Sequence, residues 1–197
     1  MKKKIFMITL AACLIILSIA STSLAYFTDT DAKSNVFTVG NVGITLTYNA
    51  YTTDDAKRLY PGQTYDNPAT IKNDGSEEAY VGAIIKLTVP QGTSFDTVSS
   101  IFTGLSDNTN KTIKYVPTST GYTVYVVVKA ALAIGDTANI FTDMAIPAAW
   151  GNEEMAVLKN FNVNITAYAT QTVGFSDATV ALKTAFDNNG WANYPNN

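Results

Sequence analysis

The sequence predicts an all-β protein, a jelly-roll-like β-sandwich with one or two short helices, which follows an N-terminal leader segment. Three observations support this fold class: apolar and polar residues alternate along several segments, turn-forming residues separate these segments, and one segment has helical periodicity. The chain has 197 residues, of which 47% are hydrophobic, so it can bury a core.

Alternation at period two dominates the chain after residue 40. It is clear in 42–48, 122–128 and 161–170, where every second residue is apolar, as in a strand that buries one face. In 80–89 both sets of alternating positions are fairly apolar, which predicts a central strand covered on both faces. Shorter candidate strands are 69–72, 112–116 and 140–146.

Turn-forming residues separate these segments. Tyr60-Pro61-Gly62 can form a type II turn, because Pro fixes φ and Gly accepts a positive φ. Asn73-Asp74-Gly75-Ser76 joins two candidate strands and carries the Asp-Gly signal of a β-hairpin. Ser119-Thr120-Gly121 and Gly135-Asp136 indicate further turns. Frequent turns between short strands favour a sandwich over alternating β-α-β units.

One helix is predicted near the end of the chain. Its apolar stripe has helical spacing and consists of Ala178, Ala181, Leu182, Ala185 and Phe186. Ser176 or Asp177 can cap its start, and Gly190 can end it. Segment 93–101 is a candidate for a second short helix.

Residues 1–25 have the order of a secretory signal peptide: a basic start, an apolar run and a small-residue end. Ser23 and Ala25 fit the −3 and −1 positions of a cleavage site. We therefore expect a signal peptidase to cleave before Tyr26 and to leave a mature β-sandwich domain of residues 26–197. Removal of the leader takes three Lys with it, so that the formal charge falls from −3 to −6.

Two other outcomes remain open for the leader. Its apolar run approaches the ~20 residues that span a bilayer, so it can instead stay as an uncleaved anchor. Leu10-Ala11-Ala12-Cys13 is similar to a lipidation motif, although the apolar run continues beyond Cys13. If the leader is cleaved, the mature chain has no Cys, which suits export without oxidative folding.

Composition excludes several classes of function. The chain has no His, which removes Ser-His-Asp, Cys-His and His-metal sites, and its single Cys excludes an intrachain disulfide. The negative charge argues against a nucleic-acid partner bound through its phosphates. Glycine motifs that bind nucleotide phosphates are absent from the sequence, and no cofactor is expected.

Paired carboxylates are the remaining candidate chemistry. Four pairs follow the leader or lie in predicted loops: Asp29 and Asp31, Asp54 and Asp55, Glu77 and Glu78, and Glu153 and Glu154. Such groups bind Ca²⁺ when several oxygens converge, and two carboxylates across a cleft can hydrolyse glycosides. Solvated loop charges are the simpler interpretation, so neither a catalytic nor a metal site is predicted here.

Five segments carry a family resemblance when they are taken together. They are 25–29 (AYFTD), 35–42 (NVFTVGNV), 59–63 (LYPGQ), 71–81 (IKNDGSEEAYV) and 165–171 (ITAYATQ). As a set they resemble the TasA/camelysin family of exported Gram-positive proteins, which depend on a SipW-type signal peptidase.

The resemblance implies a jelly-roll sandwich that assembles into extracellular matrix or biofilm fibres, as a homopolymer or with other matrix subunits. In that picture segment 26–40, freed by cleavage, completes the sheet of the next subunit by donor-strand exchange. Its candidate polymerisation residues are Tyr26, Phe27, Val36, Phe37 and Val39. The same segment can instead form an edge strand in its own subunit.

Some camelysin relatives are catalogued as metallopeptidases. A chain without His departs from the usual zinc sites, so no enzyme activity is expected. We therefore predict a secreted structural protein of the extracellular matrix or cell surface, which meets the membrane only through its leader. A secreted hydrolase, and a monomeric glycan-binding module that uses exposed Tyr and Trp residues such as Trp150, stay open as other functions.

Overall fold

The computed structural model describes residues 28–31, 42–48 and 59–187. Strands dominate this part of the chain, and their bounds are β1 Thr28–Asp31, β2 Ile44–Thr47, β3 Thr64–Tyr65, β4 Ala69–Asn73, β5 Ala79–Thr88, β6 Phe102–Thr103, β7 Lys111–Thr118, β8 Gly121–Val128, β9 Thr137–Phe141, β10 Asp143–Ala145 and β11 Asn162–Gln171. They form antiparallel sheets of order β1-β11-β5-β8-β7, β2-β4-β9 and β3-β10-β6. This arrangement confirms the predicted all-β sandwich.

Strand β5 lies at the centre of the five-stranded sheet, between β11 and β8, as its two apolar faces predict. Val81, Ala83 and Ile85 are fully buried in the main core, against the two smaller sheets. Ile84, on the opposite face, is buried in a second apolar cluster. Burial on both faces fixes the register of this strand, because a shift by one residue would exchange the two clusters.

A helix covers the outer face of the five-stranded sheet. Helix α3, Ala178–Asp187, follows two shorter helices, α1 Phe95–Ser99 and α2 Asn152–Met155. Its buried side chains Ala178, Ala181, Leu182 and Phe186 include most of the predicted apolar stripe. Gly82 permits this close approach, since a Cβ there would lie 2.8 Å from Leu182 Cδ1 and 2.6 Å from the Val126 carbonyl oxygen.

The structure describes the N-terminal cap of α3. The Val180 N–H donates to the Asp177 carboxylate at 2.9 Å, and the Ala181 N–H donates to the Asp177 carbonyl at 3.1 Å. Asp177 is therefore the N-cap, one of the two predicted candidates. The predicted end at Gly190 lies outside the described residues.

The prediction of a hairpin at Asn73-Asp74-Gly75-Ser76 is wrong. The turn does join β4 to β5, but β4 lies in one sheet and β5 in the other, so the chain crosses between layers there. The Asn73 side chain accounts for this path, because it accepts a hydrogen bond from the Gly75 N–H at 3.0 Å and is itself fully buried. An Asx-type turn replaces the two-residue hairpin loop.

The predicted strand 140–146 is in fact two strands. β9 pairs with β4, whereas β10 pairs with β3 and β6, so the chain passes from one small sheet to the other at Thr142. The Thr142 N–H donates to the Thr103 carbonyl at 2.9 Å across this break. Ile140 and Phe141 before the break and Met144 and Ile146 after it are all buried in the same core, so the sequence of the segment predicts one apolar strand.

The remaining helices are short. Helix α1 confirms the candidate helix in 93–101, and Ser94 caps it by accepting from the Thr97 N–H at 3.2 Å. Helix α2 and a 3-10 helix, Ala156–Asn160, were not predicted, since four or five residues carry too little periodicity. Trp150, predicted to be exposed, is partly buried and packs against the core. Within the described ranges, no helix has the length and apolar character needed to cross a membrane.

Candidate functional site

The predicted polymerisation segment is represented in the structure by strand β1. The cleavage residues Ser23, Ala25 and Tyr26 lie outside the described residues, as do Phe27, Val36, Phe37 and Val39. The described part of segment 26–40 is Thr28–Asp31, which forms an edge strand of its own subunit's sheet.

Strand β1 lies antiparallel to β11. Thr28 is opposite Thr170, Asp29 opposite Ala169, Thr30 opposite Tyr168 and Asp31 opposite Ala167. These four pairs are all that join β1 to the five-stranded sheet in the described part of the chain. A short strand at the end of the chain, held along one side, is among the easiest elements of a sheet to release.

Strand β11 extends well beyond β1. It has ten residues, Asn162–Gln171, and all ten pair with β5 on its inner side. On its outer side only Ala167–Thr170 pair with β1, so that 162–166 has no strand partner among the described residues. Backbone N–H and C=O groups along such an edge are ready to pair with an added strand.

The opposite edge of this sheet is formed by β7, whose sequence discourages strand addition. Pro117 has no N–H to donate, and proline in sheets is found mainly on edge strands. Lys114 adds a charge to the same strand. The two edges of the sheet therefore differ: one contains proline and lysine, and the other has a short terminal strand over less than half of its length.

Lys111 ties the start of β7 to the rest of the sandwich. Its ammonium Nζ donates to the carbonyl oxygens of Gly104 at 2.6 Å, Ile140 at 2.9 Å and Asn139 at 3.4 Å. Burial lowers the pKa of this Lys. All three N–H donors of the ammonium have a carbonyl partner, so Lys111 has no donor left for a ligand.

Among the carboxylates singled out in the sequence, Glu154 has a local structural role. The Glu154 carboxylate accepts from the Gly151 N–H at 2.9 Å, and hydrogen bonds from the backbone of Glu154 and Gly151 lower its pKa. The pKa of Asp74 is lowered mainly by hydrogen bonding to Lys72 and then to Thr45. Glu77 and Glu78 are exposed in the turn before β5, and Asp54 and Asp55 lie outside the described residues.

These carboxylates do not converge. Among the residues that the structure describes, no three His, Cys, Asp or Glu side chains come close enough to hold a metal ion. The donors there do not form the tetrahedral set that a zinc site requires. The arrangement with a chemical consequence is instead the outer edge of β11, which the described strands cover over 167–170 only.

Sequence reasoning identified the segments that form β1 and β11 but not that the two strands lie side by side. Segment 165–171 carries part of the family motif, and its alternation predicted a strand correctly. Its position beside β1 could not be predicted, because pairing partners follow from the topology of the whole sandwich. Pro117 was the available signal for the opposite edge.

The fold and the β11 edge together describe a class of protein: a β-sandwich in which β1, the first described strand, forms one edge of a sheet and pairs with β11. The family model described as camelysin metallo-endopeptidase matches residues 1–88, which include β1, β2 and most of the described N-terminal half of the sandwich. This match supports membership of the TasA/camelysin family and an exported protein. No curated protein and no solved structure matches the chain.

Proposed function

We propose that this protein is a structural subunit of extracellular matrix fibres, in which the N-terminal segment 26–40 of one subunit pairs with β11 of the next. In this role the chain is not an enzyme, and its principal partner is a second copy of itself or another matrix subunit. The single observation that carries the proposal is the outer edge of β11, where the described strands pair with Ala167–Thr170 only, through a strand near the N-terminus.

The position of β1 suits an exchange between subunits. Its four residue pairs are a small part of the pairing in the five-stranded sheet, so releasing it leaves the ten pairs between β11 and β5 intact. A strand from a second copy can form the same backbone hydrogen bonds on the same edge. The net cost of exchange is then small, because the strand pairs that open within one subunit form again between two.

The difference between the two sheet edges gives the assembly a direction. Among the described residues, 162–166 of β11 has no outer strand partner and can accept an added strand, whereas Pro117 in β7 discourages addition at the other edge. A contact in which the arm of one subunit meets β11 of the next joins two different surfaces. Such a head-to-tail contact does not close on itself and produces a filament.

The leader supplies the control step in this proposal. Cleavage between Ala25 and Tyr26 frees the chain two residues before Thr28, where β1 starts. Until cleavage, the arm is attached to an apolar segment held at the membrane. Fibres then form only after export, outside the cell or at its surface.

The proposal is tested with a chain of residues 41–197, from which the arm is missing. We expect this chain to stay monomeric in negative-stain images, whereas the chain of residues 26–197 forms fibres. A synthetic peptide of residues 26–40 should bind to the shortened chain, and a peptide with the same composition in scrambled order should not. Fibres from the shortened chain would contradict the proposal, and hydrolysis of casein by the full chain would favour the hydrolase instead.

A further inference from the structure

A cleft opens at the end of the sandwich between the loop after β5 and the β7–β8 hairpin. It has a volume of about 370 Å³, within the range of small-ligand sites, and is lined on one side by 89–94 and on the other by 117–119 with Gly121 and Tyr122. The Val89 N–H donates to the Thr120 carbonyl at 3.0 Å, and the Tyr122 hydroxyl donates to the Thr93 carbonyl at 2.7 Å. These bonds hold the two walls in a fixed position.

The lining of this cleft is polar but carries no charge. Its side chains are those of Gln91, Thr93, Ser94, Thr118, Ser119, Val89, Pro90, Pro117 and Tyr122. The Thr93 hydroxyl already donates to the Pro90 carbonyl at 2.8 Å and the Ser94 hydroxyl caps α1, so the Gln91 amide and the Thr118 and Ser119 hydroxyls are the donors offered to a ligand. Lys, Arg, Asp and Glu are absent from the lining residues. A ligand for such a cleft is neutral and rich in hydrogen-bonding groups, because no charge is present to offset the desolvation of an ion.

An exposed aromatic surface continues from the cleft. Tyr122 lies edge-on to Tyr115 with ring centroids 5.8 Å apart, and Tyr115 stacks on Phe95 at 3.7 Å with an interplanar angle of 16°. Tyr115 nevertheless keeps 39% of its surface exposed. The stack holds the Tyr115 ring in one orientation, so that it presents a flat apolar surface beside a hydroxyl-lined cleft.

We propose that this cleft, together with Tyr115, which packs against the lining residue Tyr122, binds a segment of neutral polysaccharide. Sugar rings combine an apolar face, which packs on an aromatic ring, with hydroxyl groups that exchange hydrogen bonds with Ser, Thr and Gln side chains. A peptide added as a strand is a poorer fit, because Pro117 on the wall of the cleft has no N–H to donate to it. No residue of β11 lines the cleft, so the inference is independent of fibre assembly.

Affinity electrophoresis of the full chain tests this inference, in native gels that contain dextran, hydroxyethylcellulose, mixed-linkage β-glucan or the anionic polymer alginate. We expect at least one neutral polymer to retard the chain, and Tyr115→Ala to weaken that binding five-fold or more. Tyr60→Ala is the matched control, since Tyr60 is 61% exposed and does not line the cleft, and it should bind as the unmodified chain does.

The double variant Gln91→Ala and Ser119→Ala gives a second measurement of binding. Both residues are exposed in turns, so their replacement should leave the fold intact. The double variant should also weaken binding, by about as much as Tyr115→Ala. The inference is overturned if no neutral polymer retards the chain, if alginate alone does so, or if Tyr115→Ala and the double variant, each folded by circular dichroism, bind unchanged. Competition by an uncharged peptide but not by an oligosaccharide overturns it as well.

Discussion

The side-chain amide of Asn73 donates a hydrogen bond to the backbone carbonyl of Leu132 at 2.8 Å, although the two residues lie far apart in the sequence. The same amide donates to the Glu77 carbonyl at 2.9 Å, and its oxygen accepts from the Gly75 N–H. One buried side chain therefore joins the turn between the two layers to the loop after β8. The polar group is tolerated in the core because both its amide nitrogen and its oxygen have hydrogen-bond partners.

Replacement of Asn73 by Ala should strongly destabilise the fold. The change removes three hydrogen bonds and leaves the Glu77 carbonyl and the Gly75 N–H without this partner, while the Leu132 carbonyl still accepts from the Ala79 N–H, and we expect the free energy of unfolding to fall by about 2 kcal/mol. Urea denaturation followed by circular dichroism measures this loss. Asn139→Ala, at an exposed position of β9, is the control and should change the value by less than about 0.5 kcal/mol. Equal effects of the two changes would refute the role assigned to Asn73.

Gly82 should be required for α3 to dock on the sheet. A methyl group there meets the Val126 carbonyl oxygen and the Leu182 side chain at distances that real Cβ atoms do not tolerate. We expect Gly82→Ala to cost about 2 kcal/mol of stability and to increase hydrogen exchange in α3. At Gly43 an added Cβ makes ordinary contacts of 3.5 Å or longer, so Gly43→Ala is a suitable control. Unchanged exchange in α3 of the Gly82→Ala chain would show that the helix does not need this approach.

The Asp177 cap of α3 should make the free energy of unfolding depend on pH. The Val180 N–H, with further bonds from Ser176 and Thr179, lowers the pKa of Asp177 below its ordinary value of 3.8. A carboxyl whose pKa is lower in the folded than in the unfolded chain contributes stability above the unfolded pKa, and this contribution is lost as pH falls through the folded pKa. Asp177→Ala should therefore cost about 1 kcal/mol at pH 7 and little at pH 2. A cost that is equal at both pH values would contradict this assignment.

Lys111 should hold β7 against the neighbouring sheets through its three carbonyl partners. Lys111→Met keeps the length of the side chain but removes all three donors, and we expect a loss of about 2 kcal/mol. Lys72→Met, which removes an exposed ion pair with Asp74, should cost less than about 0.5 kcal/mol. Thermal unfolding compares the stability of the two variants directly. A larger loss of stability in Lys72→Met than in Lys111→Met would contradict the role assigned to Lys111.

The sequence predicted those parts of the fold that depend on local pattern. Alternation identified β5 as a central strand, because Ile84 and Ile85 point to two different apolar clusters. The spacing of Ala178, Leu182 and Phe186 identified α3 in the same way. In both cases apolar residues repeat at the period of one element, so no knowledge of neighbouring elements is needed.

Features that depend on pairing between distant segments were not predictable. The Asp74-Gly75 signal suggested a hairpin, but the fold uses Asn73 to carry the chain from one layer to the other. The apolar residues on both sides of Thr142 concealed the passage between two small sheets there. The lack of an outer partner for 162–166 of β11 among the described strands is likewise a property of sheet order, which a single strand's sequence does not contain.

The central claim is that the arm pairs with β11 of another subunit, and a disulfide between Thr28→Cys and Thr170→Cys tests it most directly. The two residues lie opposite each other in the β1–β11 register, and a chain that begins at Tyr26 has no other Cys. The control combines Thr28→Cys with Thr166→Cys, which is four residues out of register. After oxidation of assembled material, the account predicts a ladder of covalent oligomers on non-reducing gels for the first pair and little for the control. A cross-linked monomer without any ladder would contradict it, because the arm would then pair only within its own subunit.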